Sequence, residues 1–480
     1  MKRLNLLVIG MLISSSVLFA GGLVTNTNQS AAWARTLSRN ATLGLDGVYF
    51  NPAGLAQLNN GLHLSLSNQS IFQTRTITSD YMFLSGTPKS YEAELTAPIF
   101  PSFYAAYKMD KWTFSAGFNI IGGGGSADFQ TGLPSFEIPV ASIQPGIESL
   151  IAPSPSGIEG YNINASFKGS STYFGYQLGA TYAINDMISV AIGGRLVTAS
   201  NSYEGALTGI TLEVPVFGGA VTAGNYLRGV AASLPSDPAY DPARAALNGA
   251  AGQMDIATAD AYLNAIQTGT GFTPIIGVNL HLTDMINIAA KYEHHTKIEL
   301  TNETETDDVG MFPDGEKTRA DLPGMFTLGA QVKPLKKLTA SVGFDYFLDK
   351  PAFYGNMNES GEQIDNETTI DQNAYTFSAA LEYKLLGILG ISAGYSTGNL
   401  GVNDSYQSGL SYALKSNTVG GGVFVDVGDM ITLNAGVTYV MYDDYSKSQS
   451  FVLAPTVEVP YTDTYAKNTM IIAVGVDFSF

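Results

Sequence analysis

The chain has 480 residues, no cysteine and a formal net charge of −18 at pH 7. The absence of cysteine excludes a disulfide framework and any cysteine-ligated metal site, and the negative charge argues against nucleic acid as a partner. Glycine (52 residues), tyrosine (26) and phenylalanine (24) are abundant, while charged residues make up only 14%. This balance is typical of β-structure with tight turns, including membrane barrels that carry aromatic girdles.

The first residues predict a secretory signal. Lys2 and Arg3 form a basic start, residues 4–19 are mostly apolar, and the small residues 20–22 follow. This is the order of segments in a signal peptide, so residues 1–21 are left out of the fold prediction. No later stretch approaches the ~18 consecutive apolar residues of a membrane helix, and we therefore expect no helical anchor in the inner membrane.

Residues 22–60 predict a small, partly helical unit ahead of the strands. Residues 30–37 have the composition of a short helix. Asn51 followed by Pro52 then predicts a second helix start. The asparagine side chain can accept a hydrogen bond from the free N–H groups of a first turn, and proline has no N–H to satisfy there.

Apolar residues flank this second helix start. Val48, Tyr49 and Phe50 precede it, whereas Ala53 and Leu55 follow it. Together with Asn51 and Pro52, these residues are the candidate gate of a plug, which we call the hatch. Val48, Tyr49 and Phe50 are the candidates for lining a pocket.

Residues 61–480 alternate between large apolar side chains and small or polar ones. This period of two is the signal of a strand, and a barrel turns the apolar set to lipid and the other set to its lumen. The final segment shows it most clearly, with an apolar residue at every second position from Met470 to Phe480. Fourteen segments share the pattern: 62–72, 99–108, 112–121, 171–184, 187–202, 271–282, 285–301, 321–333, 338–349, 373–385, 389–397, 411–427, 430–443 and 468–480.

Fourteen is an even number, as single-chain bacterial barrels require, and very short turns alternate with long connections, as in outer-membrane barrels. We therefore predict an all-β fold, a 14-stranded antiparallel transmembrane β-barrel over residues 61–480 with the hatch in its lumen. A secreted β-sandwich would also alternate, but it has no need of the apolar series that ends at Phe480.

The two longest connections, 122–170 and 205–269, carry further signals. Asp241-Pro242 predicts a helix start, and the apolar spacing in 255–267 predicts another helix. We interpret the second connection as helical structure over the outer mouth of the barrel. A loosely ordered surface loop is the alternative, because long loops are either functional or disordered.

Three cations fall on predicted lumen faces and are candidate anchors for a ligand carboxylate: Lys108, Arg195 and Lys291. Such a group can be held by a charge-assisted hydrogen bond. The simpler interpretation, which we prefer, is that they pair with acidic residues across the lumen. The available acids are Glu293, Asp345, Glu382 and Asp477.

Catalysis and metal binding have little support in the sequence. Of the four histidines (His63, His281, His294 and His295), the first two lie on predicted lumen faces and are interpreted as barrel filling. No Gly-x-Ser-x-Gly elbow is present. The acidic segments 303–308 and 358–366 lack the ligand spacing of an EF-hand loop. We expect no enzyme activity, no cofactor and no metal site.

Several short motifs carry a resemblance to a known family. They are Asn51-Pro52-Ala53 after the signal, Ala97-Pro98, the segment 112–117, Leu322-Pro323 with Gly329, and the terminal strand that ends at Phe480. With these motifs the chain resembles the FadL/OMPP1/TodX family of outer-membrane transporters for long-chain fatty acids and other hydrophobic compounds. That family's basic residues for the carboxylate have no matching positions here, which leaves the substrate open.

The resemblance implies a hatch inside a 14-stranded barrel and a kink in the third strand that opens sideways to the bilayer. Gly122, Gly123, Gly124 and Gly125 are the candidates for that kink, because glycine weakens strand pairing and permits bulges. A flexible loop start is the simpler interpretation of these glycines, and the one we prefer.

We therefore expect a monomeric, multi-pass barrel of the outer membrane that moves hydrophobic molecules down their gradient, gated by the hatch. The expected partners are a hydrophobic small molecule, outer-membrane lipid and, through Phe480, the barrel-assembly machinery. No nucleic acid is expected to bind. A structural or adhesive barrel without transport is the alternative.

Overall fold

The computed structural model describes residues 23–152, 155–354, 366–454 and 457–480. The predicted signal peptide and almost all of the acidic segment 358–366 lie outside these ranges. Fourteen long strands, numbered here in chain order, form one closed antiparallel barrel and confirm the predicted fold. They are β1 (Gly61–Ser79), β2 (Lys89–Met109), β3 (Trp112–Phe129), β4 (Gly160–Ala183), β5 (Ile188–Val214), β6 (Ala261–Thr283), β7 (Ile286–Glu293), β8 (Gly324–Leu335), β9 (Leu338–Leu348), β10 (Tyr375–Lys384), β11 (Leu389–Asn399), β12 (Ser416–Val427), β13 (Ile431–Tyr442) and β14 (Val457–Ser479).

The barrel closes where the first strand meets the last. β1 pairs with β14 from His63 opposite Ser479 to Ser79 opposite Asp463. Each of the fourteen strands therefore has a paired neighbour on both sides.

The outer face of the barrel is apolar on all sides. Alternation places large side chains there, and many remain exposed: Leu66, Phe114, Leu178, Ile192, Phe272, Ile276, Val342, Leu381, Tyr395, Leu433 and Val474. An exposed apolar surface that encircles a protein marks the region that a bilayer covers. Among the described residues, no helix has both the length and the apolar character needed to cross a membrane.

The two ends of the barrel differ. Connections such as 110–111 and 284–285 are very short, as predicted, and Phe480 lies at the same end, where its N–H bonds the carbonyl of Leu62. We call this the turn end and the opposite one the loop end. Four short strands extend the wall at the loop end: Gly219–Val221, Glu299–Asp307, Lys317–Arg319 and Tyr445–Ala454.

The helices lie in the hatch and in the loop-end connections. They are α1 (Ala31–Thr36), α2 (Gly47–Phe50), α3 (Pro134–Ala141), α4 (Ile143–Ile151), α5 (Ala223–Ser233) and α6 (Asp241–Ala257), with 3₁₀ segments at Pro52–Gln57, Pro215–Phe217, Pro238–Tyr240 and Asn366–Thr368. The predicted helix start at Asp241-Pro242 is confirmed. The helical interpretation of the connection 205–269 holds for its central part.

Several boundary predictions are wrong, because strands such as β1, β2, β5 and β14 extend further toward the loop end than predicted. The helix predicted over 255–267 ends at Ala257, and β6 begins at Ala261, because residues from 261 onward pair with β5. That pairing outweighs the local helical spacing. The connection predicted over 122–170 is much shorter, since β3 continues to Phe129 and β4 begins at Gly160.

Candidate functional site

The hatch begins with a capped helix. Ser30 is the N-cap of α1, and its hydroxyl accepts a hydrogen bond from the Trp33 N–H at 2.9 Å. Leu37 ends the helix in a left-handed conformation (φ 61°) and donates its N–H to the Trp33 carbonyl. The short helix predicted over 30–37 is therefore confirmed, and each of its ends has a capping hydrogen bond.

Asn51 starts the second helical segment, as its sequence context predicts. Its Oδ1 accepts from the Gly54 N–H at 3.2 Å, and Pro52 opens a six-residue 3₁₀ helix, Pro52–Gln57. The side-chain amide group also donates to the Thr42 carbonyl at 2.9 Å and to Oδ1 of Asn279 on β6 at 2.8 Å. One residue thus sets the local turn and fastens it to the barrel wall.

The predicted gate residues are all buried between the hatch and the wall. Val48, Tyr49, Phe50, Ala53 and Leu55 are each 5% exposed or less. Most belong to a buried group that we call the hatch apolar cluster. Its wall members are Ile71, Leu95, Ala97, Phe100, Tyr104, Ala106, Ile120, Ile121, Tyr173, Val197, Ala199, Ile298, Leu300, Leu322, Ile471 and Ala473. Their role in lining a ligand pocket stays a prediction.

A second buried group lies nearer the loop end, and we call it the loop-end apolar cluster. Its members are Ile77, Ala93, Phe129, Leu133, Phe167, Tyr203, Leu263, Ala265, Phe312, Leu410, Tyr412, Leu414 and Tyr465. Ala127 on β3 packs against both clusters. The two apolar clusters therefore meet at Ala127 on β3.

Wall side chains donate to backbone carbonyls of the hatch. The bonds run from Gln177 to Val48 (2.5 Å), Thr181 to Pro52 (2.7 Å), Ser189 to Ala53 (2.7 Å), Lys291 to Tyr49 (2.8 Å), and Lys108 to Ala56 (2.5 Å) and Leu58 (2.6 Å). These donors satisfy carbonyls that a short, irregular segment cannot satisfy by itself. Sequence reasoning missed most of them, because each pairs residues at least 50 positions apart.

Two of the three candidate anchors lie together. Arg195 binds Glu293 through two nitrogens, at 2.5 and 3.0 Å, and Lys291 reaches the same carboxylate at 2.6 Å. The Tyr49 ring lies 5.0 Å from the Arg195 guanidinium and 4.5 Å from the Lys291 ammonium. The interpretation preferred from the sequence, that lumen cations pair with acidic residues, therefore holds for Arg195 and Lys291, which both pair with Glu293.

Lys108 lies apart from this cluster and donates to the hatch carbonyls of Ala56 and Leu58. The other acids have partners too: Glu382 is paired with Arg35, Asp345 accepts from Asn40, and Asp477 accepts from Asn434. Ligand anchoring by Lys108, Arg195 or Lys291 stays a prediction.

The glycines of the third strand lie at an irregularity. β3 shifts its register against β4 between Ile120 and Gly122 and again between Gly123 and Gly125. Gly123 and Gly124 have φ of 60° and 109°, a region that favours glycine. The ladder between β2 and β3 stops at Ser102–Asn119 and resumes only at Glu94–Asp128. Bulges of this kind bend a strand and end its pairing.

The start of the hatch fills this irregularity. The Asn26 N–H donates to the Ile121 carbonyl, and its side chain donates to the Gly123 carbonyl, both at 2.8 Å. A Cβ at Gly122 would lie 2.7 Å from the Val24 carbonyl oxygen, and one at Gly124 would lie 2.5 Å from the Phe100 ring. The hatch start, the irregular part of β3 and Phe100 therefore form one packed site, and Asn26 and Phe100 are members that sequence reasoning missed.

The turn-end side of the hatch is polar. A cavity of about 310 Å³ lies between α1, the following turn and the wall. Its charged lining residues are Arg35, Arg39, Asp46, Lys333, Glu382, Asp426 and Asp477. The hatch thus lies between the hatch apolar cluster and a polar cavity.

Two of the three kinds of comparison find nothing: no protein-family model matches the chain, and no curated protein matches it. Solved structures do match. A FadL homologue of Pseudomonas aeruginosa aligns with 96% of this chain and 100% of its own, at 11% identity and a TM-score of 0.63. The toluene transporter TodX of Pseudomonas putida covers the same shares at 15% identity, with a TM-score of 0.55.

The toluene transporter TbuX of Ralstonia pickettii aligns with 94% of this chain and 98% of its own, at 12% identity and a TM-score of 0.53. The chain therefore belongs to the fold class of 14-stranded barrels with helical segments in the lumen. More particularly, it resembles the FadL-type barrels, with a fold-level match over nearly the whole chain.

Proposed function

We propose that the chain is an outer-membrane barrel through which hydrophobic molecules diffuse inward, with residues 22–60 as the gate. The observation that carries the proposal is the contact between its two buried apolar clusters. The loop-end apolar cluster and the hatch apolar cluster share Ala127 on β3, the strand whose glycines interrupt its pairing with β2. An apolar molecule that enters at the loop end would thus find the side chains of both clusters on its way to the glycines of β3.

The exit that fits this arrangement is sideways, between β2 and β3. Straight passage to the turn end would bring the molecule into the charged cavity beside Arg35 and Asp46, where burial of apolar surface offers no gain. The gap at Gly122–Gly125 lies in the barrel wall instead, where the pairing of β2 with β3 is interrupted. The hatch start at Val24 and Asn26 packs on this gap, so its displacement would open the route.

A ligand can move the hatch only to the extent that it binds the open state better than the closed one. The molecules named for the structural neighbours support the ligand class, since TodX and TbuX are toluene transporters. Those neighbours are transporters rather than enzymes, which supports a non-enzymatic role. Fatty acids stay one candidate substrate class. The same proposal includes a location in the outer membrane, a monomeric state and recognition of Phe480 by the assembly machinery.

The test is uptake of a radiolabelled hydrophobic compound by intact Gram-negative cells that lack their own transporter of this class. Cells with the wild-type barrel should take up the compound faster than cells without it, and deletion of residues 49–54 should change the rate. Assembly is checked by heat-modifiable electrophoresis, and chemical permeabilisation of the outer membrane should abolish all differences. Uptake equal to that of cells lacking the barrel would instead favour a structural or adhesive role.

A further inference from the structure

Two connections from nearly opposite sides of the barrel meet at its loop end. Leu133 and Ser135, at the start of α3, lie in the connection between β3 and β4, and Gly409 lies in the connection between β11 and β12. A Cβ at Gly409 would lie 4.0 Å from the Leu133 Cβ and 3.5 Å from the Ser135 hydroxyl oxygen. Eight strands separate the two connections in one direction around the barrel and six in the other. Their contact, which we call the seam, therefore lies across the barrel mouth.

The connection between β11 and β12 folds into the barrel. Connecting segments usually run over a protein surface, yet Leu410, Tyr412 and Leu414 are each 8% exposed or less. The Tyr412 hydroxyl donates to the Ala466 carbonyl of β14 at 3.0 Å. On the other side of the seam, Leu133 belongs to the same loop-end apolar cluster as these three residues. The two connections therefore cover that cluster together.

One buried carboxylate fixes α3 to the wall on its own side of the barrel. Glu137 is 3% exposed. It accepts from the Lys89 ammonium at 2.7 Å on each oxygen, from the Tyr91 hydroxyl at 2.9 Å and from the Tyr161 hydroxyl at 2.8 Å. Hydrogen bonds to a charged group are stronger than neutral ones. Because Lys89 and Tyr91 belong to β2 and Tyr161 to β4, Glu137 fastens α3 to the strands on both sides of β3.

The first turn of α3 joins this attachment to the seam. The Glu137 N–H donates to the Leu133 carbonyl at 3.1 Å, so the two residues are one helical turn apart. Leu133 therefore leaves Gly409 only if the turn moves and the bonds of Glu137 break. At the seam, the buried Ser135 hydroxyl has no hydrogen-bond partner among the described residues. The position of α3 thus depends more on Glu137 than on the seam.

We propose that α3 is an outer lid, with Glu137 as the latch that holds it closed and the seam as the place where it opens. The members of the loop-end apolar cluster are each 8% exposed or less, so a hydrophobic molecule reaches them only after α3 moves. Its burial among these side chains then favours the open state. The role of the lid in uptake rests on the proposed function, whereas its opening does not.

Cross-linking the seam tests the lid in intact cells. The 4.0 Å between the two Cβ positions lies within the range of about 3.5–4.5 Å that disulfides favour. In the Leu133→Cys/Gly409→Cys variant, oxidation should lower uptake of a radiolabelled hydrophobic compound to that of cells without the barrel, and reduction should restore it. Each single-cysteine variant is a control and should take up the compound in both conditions. Continued uptake by the fully oxidised variant would overturn the lid but not the proposed function.

A buried cysteine measures the opening of the lid without transport. Ala265 on β6 is 1% exposed within the loop-end apolar cluster, and the chain has no cysteine of its own. In non-ionic detergent, Glu137→Gln should speed labelling of Ala265→Cys by a water-soluble maleimide about 10-fold, because weaker hydrogen bonds at the latch raise the open population. Glu148→Gln, which changes an exposed carboxylate of α4, is the matched control and should leave the labelling rate unchanged.

Both tests count only assembled barrels, identified by heat-modifiable electrophoresis. Equal labelling of Ala265→Cys with and without Glu137→Gln would overturn the assignment of Glu137 as the latch. If Glu137→Gln speeds labelling but the wild type takes up no more compound than cells lacking the barrel, the proposed function is overturned and the lid is supported.

Discussion

Asn51 of the hatch donates a hydrogen bond to Asn279 of β6 across 2.8 Å, which joins the start of a 3₁₀ helix to the barrel wall. The Asn279 oxygen also accepts from Asn287, and the Asn279 side chain donates back to Asn287. A series of hydrogen-bonded side-chain amides thus extends from the hatch across two neighbouring strands, β6 and β7. Its first member is also the helix cap, so the shape and the attachment of the hatch depend on the same side chain.

Replacing Asn51 by alanine should destabilise the hatch by about 1–3 kcal/mol. The change removes a helix cap and leaves the Thr42 carbonyl without its donor. Trp33 reports on the hatch, and the only other tryptophan, Trp112, lies on the outer face. Urea unfolding followed by Trp33 fluorescence in a Trp112→Phe background measures the effect. Asn248→Ala, which removes an exposed asparagine of α6 outside the hatch, is the matched control and should have little effect.

Replacing Glu293 by glutamine should destabilise the barrel by about 3–5 kcal/mol, because Arg195 and Lys291 would keep buried charges without a counter-charge. The control is Glu299→Gln, which removes one partner of an exposed ion pair with Lys317 and should cost less than about 1 kcal/mol. Urea unfolding in detergent gives both values. Equal losses for the two variants would show that the buried cluster contributes no more than a surface pair.

Gly124→Ala should disturb the kink of β3. The residue has φ 109°, and the new Cβ would lie 2.5 Å from the Phe100 ring, so the strand must absorb about 1–3 kcal/mol of strain or change its path. We expect slower uptake of hydrophobic compounds by a barrel that still assembles. Gly249→Ala in α6, where a Cβ meets no neighbouring atom within 4 Å, is the matched control. Normal uptake by the Gly124 variant would argue against a role for this bend in transport.

Asp349, just after β9 at the loop end, should make stability depend on pH. Burial raises its pKa to about 6, although hydrogen bonds from the Tyr354 hydroxyl and the Ala374 N–H favour the carboxylate. The folded state therefore binds a proton at a higher pH than the unfolded state, whose pKa is about 3.9. Its contribution to stability should increase as the pH falls through 6 and become constant below about 4.

The measurement is the difference in unfolding temperature between the wild type and Asp349→Asn across pH 4–8, since other carboxylates titrate in both proteins. The wild type should gain stability relative to the variant as the pH falls. A difference that stays constant with pH would contradict the assignment to Asp349.

The strands were predictable because alternate residues face lipid and lumen, so that large apolar side chains alternate with small or polar ones. The series from Met470 to Phe480 shows this directly, and every predicted strand corresponds to one in the barrel. The apolar spacing predicted a helix that includes residues 261–267, but these residues form a strand because they pair with β5. It also failed to show the true length of β3, since the glycines at 122–125 suggested that the strand had ended.

The contacts of the site were less predictable than the elements. The capping role of Asn51 could be inferred from its neighbours, but its bond to Asn279 joins residues 228 positions apart. Alternation places Arg75 and Lys467 on inward faces, yet only the register of barrel closure sets them opposite each other. Such contacts depend on a closed fold and have no local signal in the chain.

The most direct test of the gate is a reversible link between hatch and wall. A Cβ at Gly277 on β6 would lie 3.7 Å from the Ala53 Cβ, within the range of about 3.5–4.5 Å that disulfides favour, and the chain has no cysteine to interfere. In the Ala53→Cys/Gly277→Cys variant, uptake of a hydrophobic compound should stop on oxidation and return on reduction. Each single-cysteine variant should transport under both conditions. Undiminished uptake by the fully oxidised variant would contradict gating by the hatch.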